Sequence, residues 1–267
     1  MKSAKGLGFL LGFSLETLEE VANTTSHYYF PFEKVSYKRN GKIKVRLIEP
    51  SKGLLNKIQN RIKNKILTQL IEKNELSKYL YGGIKGKCNI ENARVHQGKK
   101  YHFCTDIKNF FPSISNGAVY EMFMDHGFSS YNARLLTKLT TMNNHLPQGT
   151  PTSTHISNLV FIKVDKDLVE IITNKGIVYT RFVDDLTFSG EIDFKSLTFG
   201  LLEIIKFHHF LFSHTKTFYS DRPVEVTGII VKQNGLDVND KFKSKDLSKS
   251  SPLARKAHFD YQRRVNS

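Results

Sequence analysis

Apolar residues recur along this chain at two spacings. Leu54, Ile58, Ile62, Ile66 and Leu70 are four apart, which predicts one inward face of a helix running from Pro50-Ser51 to about Glu72. Val35-Ser36-Tyr37 and Ile43-Lys44-Val45-Arg46-Leu47-Ile48 flank Arg39-Asn40-Gly41 and predict a hairpin, with Lys42, Lys44 and Arg46 on one face and Ile43, Val45 and Leu47 on the other. A second hairpin is expected over Gly176–Gly190, where β-branched and aromatic residues surround Asp184-Asp185. Lys100–Asp106 reads as a strand, and two helices follow at about Asn116–His126 and Ser129–Thr141. The stiff turn Leu146-Pro147-Gln148-Gly149-Thr150-Pro151-Thr152-Ser153 feeds a long helix through Ser157-Asn158-Leu159 to about Asn174. Shorter helices are expected at Ser14–Asn23, capped by Ser14, at Ile90–His96 and at Phe194–His208, and a strand at Val226–Val231. Tyr79 to His96 is glycine- and lysine-rich, with Tyr81-Gly82-Gly83-Ile84-Lys85-Gly86-Lys87 reading as a basic loop. Lys232–Ser267 is weakly periodic, and reads either as a small helical subdomain or as a partly disordered tail.

Charge narrows the classes of partner. Forty Lys and Arg face 25 Asp and Glu, for a net charge of +15, and the excess points to a polyanion. It is concentrated: Lys34 to Lys65 holds eleven basic residues and a single acid, Glu49. Lys57, Arg61 and Lys65 form a basic stripe beside the apolar one, a repulsive arrangement that suits a bound polyanion or a solvated face. With 20 Phe and 11 Tyr the composition is globular. Cys88 and Cys104 have neither Cys-x-x-Cys nor zinc-ligand spacing, which suits a reducing cytoplasm. The apolar run at Leu7–Leu15 is too short to span a bilayer, so no membrane association is expected.

Candidate chemistry lies in three carboxylates. Asp106 ends a strand, where a buried acid is costly unless it is paired, caps a turn or binds metal. Asp184 and Asp185 sit on the second hairpin, where a polar turn and a hard-cation site are the competing readings. Alternation along an extended backbone should point them apart, with Asp184 the stronger ligand and Asp185 the auxiliary one. If both strands belong to one antiparallel sheet, the three acids meet as two-metal phosphoryl transfer requires. The cations of the first hairpin, Lys44 and Arg46 among them, then suit a triphosphate or a phosphate backbone. Lys216 is placed to protonate pyrophosphate, and Gln148, on its rigid loop, to contact a ligand. The element order fits a ferredoxin-like sheet.

Phe182-Val183-Asp184-Asp185, Asp106 with Phe110-Phe111-Pro112-Ser113, and Pro147-Gln148-Gly149-x-Pro151-x-Ser153 with Ile156-Ser157-Asn158-Leu159 occur in the order seen in reverse transcriptases, and the chain resembles that family from about Val35 to Val231. Asn92-Ala93-Arg94-Val95-His96 and Val226-Thr227-Gly228 extend the resemblance to bacterial retron reverse transcriptases. Thr154 departs from the proline common at its position.

The resemblance implies an α+β, right-hand polymerase fold. Its expected parts are an N-terminal helical extension (1–33), fingers with a basic RNA-binding region (34–99), a ferredoxin-like antiparallel palm (100–231) and a short basic thumb region (232–267). It implies two Mg²⁺ ions, replaceable by Mn²⁺, held by Asp106, Asp184, Asp185 and the Ile107 carbonyl. Asp106, Asp184, Asp185 and Lys216 are then catalytic. Lys44, Arg46, Phe111 and Gln148 bind the deoxynucleoside triphosphate, with Phe111 excluding a 2′-hydroxyl. Lys57, Arg61, Lys65, Asn92, His96, Val226, Thr227 and Gly228 contact RNA. The implied activity copies a structured noncoding RNA into DNA from an RNA 2′-hydroxyl, in antiphage defence, with an effector protein as a further partner. The alternatives are a noncatalytic RNA-binding scaffold restraining a toxin or effector, and a reverse transcriptase of another defence class or of group II intron type.

Overall fold

The structure, a computed structural model, describes residues 3–37, 43–248 and 250–267. The turn expected at Arg39-Asn40-Gly41, and Lys42, lie outside the described residues. Two compact units form, each from two chain segments: Met1–Ser77 with Asn109–Ile162, and Lys78–Lys108 with Lys163–Ser267. Among the described residues no helix is long and apolar enough to cross a membrane.

The first unit is mainly helical. Ser14 caps the helix Leu15–Asn23 as expected, its Oγ accepting from the Thr17 N–H at 3.1 Å. An unforeseen helix, Ala4–Leu11, precedes it and contributes Leu7 and Leu11 to the core. The helix Gly53–Ile62 continues through a π turn at Lys63–Leu67 into Thr68–Glu72. Its buried apolar stripe is Leu55, Ile58, Ile62, Ile66, Leu67 and Ile71, while Leu54 and Leu70 are half-buried. A strict spacing of four drifts by about 40° per step on a helix with 3.6 residues per turn, so its two ends leave the buried face. Gln59, fully buried on this helix, accepts from Ser51 Oγ at 2.6 Å and donates to Tyr29 Oη at 3.1 Å and the Leu139 carbonyl at 2.9 Å. Those bonds satisfy a polar side chain inside an apolar core. The helices Phe110–Ser113, Asn116–Asp125 and Ser130–Thr140 complete the unit with the start of the helix Ser153–Ile172.

The first hairpin, β1 (Phe32–Tyr37) and β2 (Ile43–Ile48), is antiparallel with Lys34 opposite Arg46 and Ser36 opposite Lys44. Lys34, Lys44 and Arg46 therefore share one face. Val35, Ile43, Val45 and Leu47 share the other and are about half exposed or more, at 48–61%.

The second unit contains two sheets. β3 (Tyr101–Asp106), β4 (Val178–Phe182), β5 (Asp185–Gly190) and β6 (Phe218–Ser220) pair antiparallel in the order β4-β5-β3-β6. With helices between β3 and β4 and between β5 and β6, this is the ferredoxin-like βαββαβ order. Phe188 packs between Phe103 and Tyr179, with ring centroids at 5.9 and 4.6 Å.

The single strand expected at Val226–Val231 is instead a hairpin. β7 (Val224–Val226) and β8 (Ile229–Lys232) are joined by Thr227-Gly228, and β9 (Gly235–Val238) completes a three-stranded sheet. Both turn residues have positive φ, 48° and 88°, as a tight two-residue turn twisted to match its strands requires. The tail resolves in favour of a helix, Pro252–Asn266, whose Val265 packs into the core with Val226, Ile229 and Val238.

Candidate active site

Asp106 closes β3 and Asp185 opens β5, and the two are directly paired across the ladder. Phe182 pairs with Asp185, so Val183-Asp184 is a two-residue hairpin turn. Only Val183 has positive φ there, 59°, the pattern of a II′ turn, whose first position is ordinarily glycine. Because Asp184 lies in the turn, strand alternation does not govern it. The expectation that the adjacent acids diverge is therefore corrected: Asp106, Asp184 and Asp185 each bring a carboxylate oxygen within 4.8 Å of the others.

Backbone bonds fix this apex. The Ile107 N–H donates to the Asp184 carbonyl at 2.8 Å, the Ser213 N–H to the Asp106 carbonyl at 2.8 Å, and the Lys108 N–H to the Leu211 carbonyl at 2.7 Å. The Thr105 and Thr217 hydroxyls meet at 2.7 Å and tie β3 to the segment carrying Lys216. Lys216 Nζ hydrogen-bonds Asp106 Oδ2 and lies 3.9 Å from Asp185 Oδ1.

The electrostatics are those of crowded anions. Burial, then the charges of Asp184 and Asp106, push the Asp185 pKa up to about 7 against the pull of Lys216. Burial works against the Lys216 charge, but the bond to Asp106 and the surrounding carboxylates outweigh it and raise its pKa. Three hard oxygen donors held this close fit a divalent cation, whose charge would relieve the repulsion at Asp185. Ile107, buried beside Asp106 in sequence, is positioned by its own N–H bond to the Asp184 carbonyl.

The expected nucleotide-binding residues lie in the first unit. Gln148 is half-buried, and its loop is clamped. The Glu49 N–H donates to the Gln148 carbonyl at 2.7 Å, Ser153 Oγ donates to the Pro147 carbonyl at 2.5 Å, and buried Glu49 meets His145 Nε2 at 2.7 Å. Gly149 has φ +107°, and a Cβ there would stand 2.9 Å from Ile48 Cγ2. Phe111 is half-buried with its ring 5.8 Å from Phe110, which packs edge-on to Phe161 at 5.5 Å. Arg46 is exposed and Lys44 half-buried on β2.

The expected RNA contacts divide. Lys57, Arg61 and Lys65 are exposed and line a depression of about 380 Å³ with Phe13, Asn60 and Asn64. Asn92, His96 and Val226 are corrected: the residues are 1%, 0% and 1% exposed, out of reach of a surface-bound nucleic acid. His96 bonds Ser189 Oγ and Thr180 Oγ1, each at 2.7 Å, so both ring nitrogens serve to join the turn after the helix Asn89–Arg94 to β4 and β5. Burial, then the neighbouring His102, lowers its pKa to about 3. Asn92 Nδ2 reaches Thr227 Oγ1 at 3.4 Å, and Asn89 Nδ2 the Thr227 carbonyl at 3.1 Å. Two motifs more than 130 positions apart thus meet each other. Thr227 and Gly228 are half-buried at that turn.

Arg181, Asp165 and Tyr179 carry no role expected from the motifs. All three are fully or nearly fully buried, and both nitrogens of the Arg181 fork bond Asp165, at 2.9 and 2.7 Å. A charged residue at mid-strand in the apolar run before Asp184 was the available signal, since a buried charge needs a partner.

The family model described as reverse transcriptase (RNA-dependent DNA polymerase) matches residues 38–231. The chain is similar to the Retron Se72 reverse transcriptase of Salmonella heidelberg, 34% identical over 195 residues, covering 73% of this chain and 50% of that protein. It is also similar to the Retron Ec86 reverse transcriptase of Escherichia coli, 28% identical over 200 residues, covering 75% and 58%. The chain therefore spans little more than half the length of these relatives. Among solved structures, telomerase from Candida albicans with a TWJ fragment of telomeric RNA aligns with TM-score 0.55 at 9% identity, covering 84% of this chain and 50% of that one. Apo telomerase from Candida tropicalis aligns with TM-score 0.54 at 10% identity, covering 92% and 56%. These two likenesses concern the fold alone. With the match to the family model running across β3, the Gln148 loop and the carboxylate hairpin, the chain belongs to the reverse transcriptase family.

Proposed function

We propose that this protein is an RNA-directed DNA polymerase of the retron type. The observation that carries the reading is the convergence of Asp106, Asp184 and Asp185 at the end of a ferredoxin-like sheet in a chain of this family. Divalent ions bound there, Mg²⁺ in the first instance, would supply charge neutralisation and a more acidic attacking hydroxyl. Asp106, Asp184, Asp185 and the Ile107 carbonyl would hold them, and Lys216 would deliver a proton to departing pyrophosphate. Lys44, Arg46 and Gln148 would bind the incoming deoxynucleoside triphosphate, and Phe111 would press on its sugar and exclude a 2′-hydroxyl. Lys57, Arg61 and Lys65 would track an RNA backbone, consistent with the net charge of +15.

On this reading the substrate is a structured noncoding RNA, copied from one of its own 2′-hydroxyls to leave a branched RNA–DNA product. The role is antiphage defence, with an effector protein as an additional partner and the cytoplasm as the compartment. The similarity to retron reverse transcriptases supports this reading.

The test is incorporation of labelled deoxynucleotides by protein purified with its co-expressed RNA, in Mg²⁺ and without added primer. Asp184→Asn is expected to abolish incorporation while RNA binding and the circular dichroism spectrum persist. DNA that stays joined to RNA until a debranching enzyme is added supports retron priming. DNA made only on an added primer–template keeps the polymerase and removes the retron assignment. RNA binding without incorporation in any divalent metal replaces both with a binding scaffold.

A further inference from the structure

Val183 is a β-branched residue in the left-handed region, at the turn position where glycine is the ordinary choice. Left to itself, such a residue relaxes toward negative φ and carries the next residue, Asp184, with it. Its surroundings prevent that. Arg181 Nη1 donates to the Val183 carbonyl at 3.1 Å. The rest of the guanidinium is locked: Nε donates to Asp165 Oδ1 at 2.9 Å and Nη2 to Asp165 Oδ2 at 2.7 Å. Tyr179 Oη donates to the same Asp165 Oδ1 at 2.7 Å. Arg181 and Asp165 are both 0% exposed, so this fork is neither screened by water nor free to rotate.

The other side of the turn is closed by backbone. The Tyr81 N–H donates to the Arg181 carbonyl at 2.8 Å, and a Cβ on Gly82 would lie 2.5 Å from both the Val183 nitrogen and its Cγ2. Only a glycine backbone lies this close. The Ile107 N–H holds the Asp184 carbonyl from β3.

We infer that Arg181, braced by Asp165 and Tyr179, is a positioning residue that holds the strained Val183-Asp184 turn in the conformation that brings Asp184 into the carboxylate cluster. The inference rests on the proposed polymerase reading for its consequence in catalysis. Its geometric part, that the brace sets cation affinity at the three acids, stands apart from that reading. A buried ion pair kept for global stability alone has no need of a third bond to the catalytic turn. Well-packed apolar residues of similar volume often replace such pairs with no loss of stability.

The experiment replaces the network by apolar groups of similar size, in the combined variant Asp165→Leu, Tyr179→Phe, Arg181→Met. Three quantities are read: the unfolding temperature, Mn²⁺ affinity by electron paramagnetic resonance without nucleotide, and deoxynucleotide incorporation with the native RNA. The brace predicts an unfolding temperature close to wild type, Mn²⁺ affinity at least about tenfold weaker, and kcat reduced at least as much with KM for the nucleotide little changed. Adding Val183→Gly to this variant is expected to restore Mn²⁺ affinity to within about threefold of wild type, because glycine occupies the left-handed region without restraint. A merely structural network gives no such rescue.

If the combined variant does not fold, Arg181→Lys serves. It keeps a charge for Asp165 but loses the planar fork that reaches the Val183 carbonyl as well, and the same fall in Mn²⁺ affinity is expected. Wild-type Mn²⁺ affinity in a folded variant overturns the inference, as does a loss that Val183→Gly leaves untouched. A wild-type protein that binds Mn²⁺ but never incorporates nucleotide retires the polymerase reading and leaves the brace to be judged on affinity alone.

Discussion

Cation binding at the carboxylate cluster should be steeply pH-dependent near neutrality, and Asp185 is the cause. Its pKa is raised from the ordinary 3.8 to about 7 by burial and by Asp184 and Asp106. A metal requires the carboxylate, so binding displaces the proton that Asp185 carries below that pH. At pH 8 about nine-tenths of Asp185 is ionised and at pH 6 about one-tenth, so apparent affinity should fall about tenfold over this interval, equivalent to about 1.4 kcal/mol. Mn²⁺ titration by electron paramagnetic resonance at pH 6, 7 and 8, without nucleotide or RNA, measures it. Asp185→Asn should bind more weakly at pH 8 and lose most of the slope.

The same shift has a stability consequence of opposite sign in the metal-free protein. A carboxyl whose folded pKa is raised contributes stability below its unfolded pKa, and that contribution is lost as pH rises through about 7. The Asp185 side chain is 42% exposed, so solvent screening leaves only a fraction of the effect, on the order of 1 kcal/mol. Asp185→Asn should therefore melt about 2 °C above wild type at pH 8 without metal. A Mn²⁺ affinity that is flat from pH 6 to 8 would refute the proposed crowding of Asp185.

Two further outcomes follow from backbone and burial. Gly149→Ala puts a side chain at φ +107° and 2.9 Å from Ile48 Cγ2. It should cost about 1–3 kcal/mol and displace Gln148, raising KM for the nucleotide more than it lowers kcat, as measured by steady-state incorporation and thermal melting. His96, fully buried with its pKa lowered to about 3, contributes stability that is complete above the unfolded pKa near 6.5 and lost as pH falls from there toward 3. Between pH 7.5 and 5 this should remove about 2 kcal/mol in urea melts, and His96→Gln should flatten that slope.

The carboxylate cluster was unusually legible because it is carried by local strings. A carboxylate after an alternating strand, an Asp-Asp pair in a hairpin, and a Pro/Gly loop at a helix start each declare a local conformation. The antiparallel ladder that pairs Asp106 with Asp185 follows once both strands are known. Periodicity was less faithful where the backbone departs from regular geometry. The π turn at Lys63–Leu67 and the drift of a four-residue spacing moved the buried stripe off Leu54 and Leu70. The turn at Thr227-Gly228 broke an apolar run that reads as one strand.

Roles assigned by motif alone fared differently again. Asn92-Ala93-Arg94-Val95-His96 and Val226-Thr227-Gly228 look like two separate contacts for a nucleic acid when read as strings. Folding brings Asn92 to Thr227 and seals His96 between Thr180 and Ser189, because a buried polar side chain must find its partners within the protein. The charge of Arg181 inside an apolar strand signals that a partner is needed, but its identity, Asp165, sixteen positions away on a helix, is set only by the fold.

By itself, then, the sequence determined the strands and turns that present Asp106, Asp184 and Asp185, the basic stripe and the family, since each depends on residue type and short-range spacing. Only the tertiary structure decided that the adjacent acids converge, that Asn92, His96 and Val226 are buried, and that a strained valine is held beside the acids. Those outcomes depend on which distant polar groups become partners once water is excluded, and local spacing does not encode that choice.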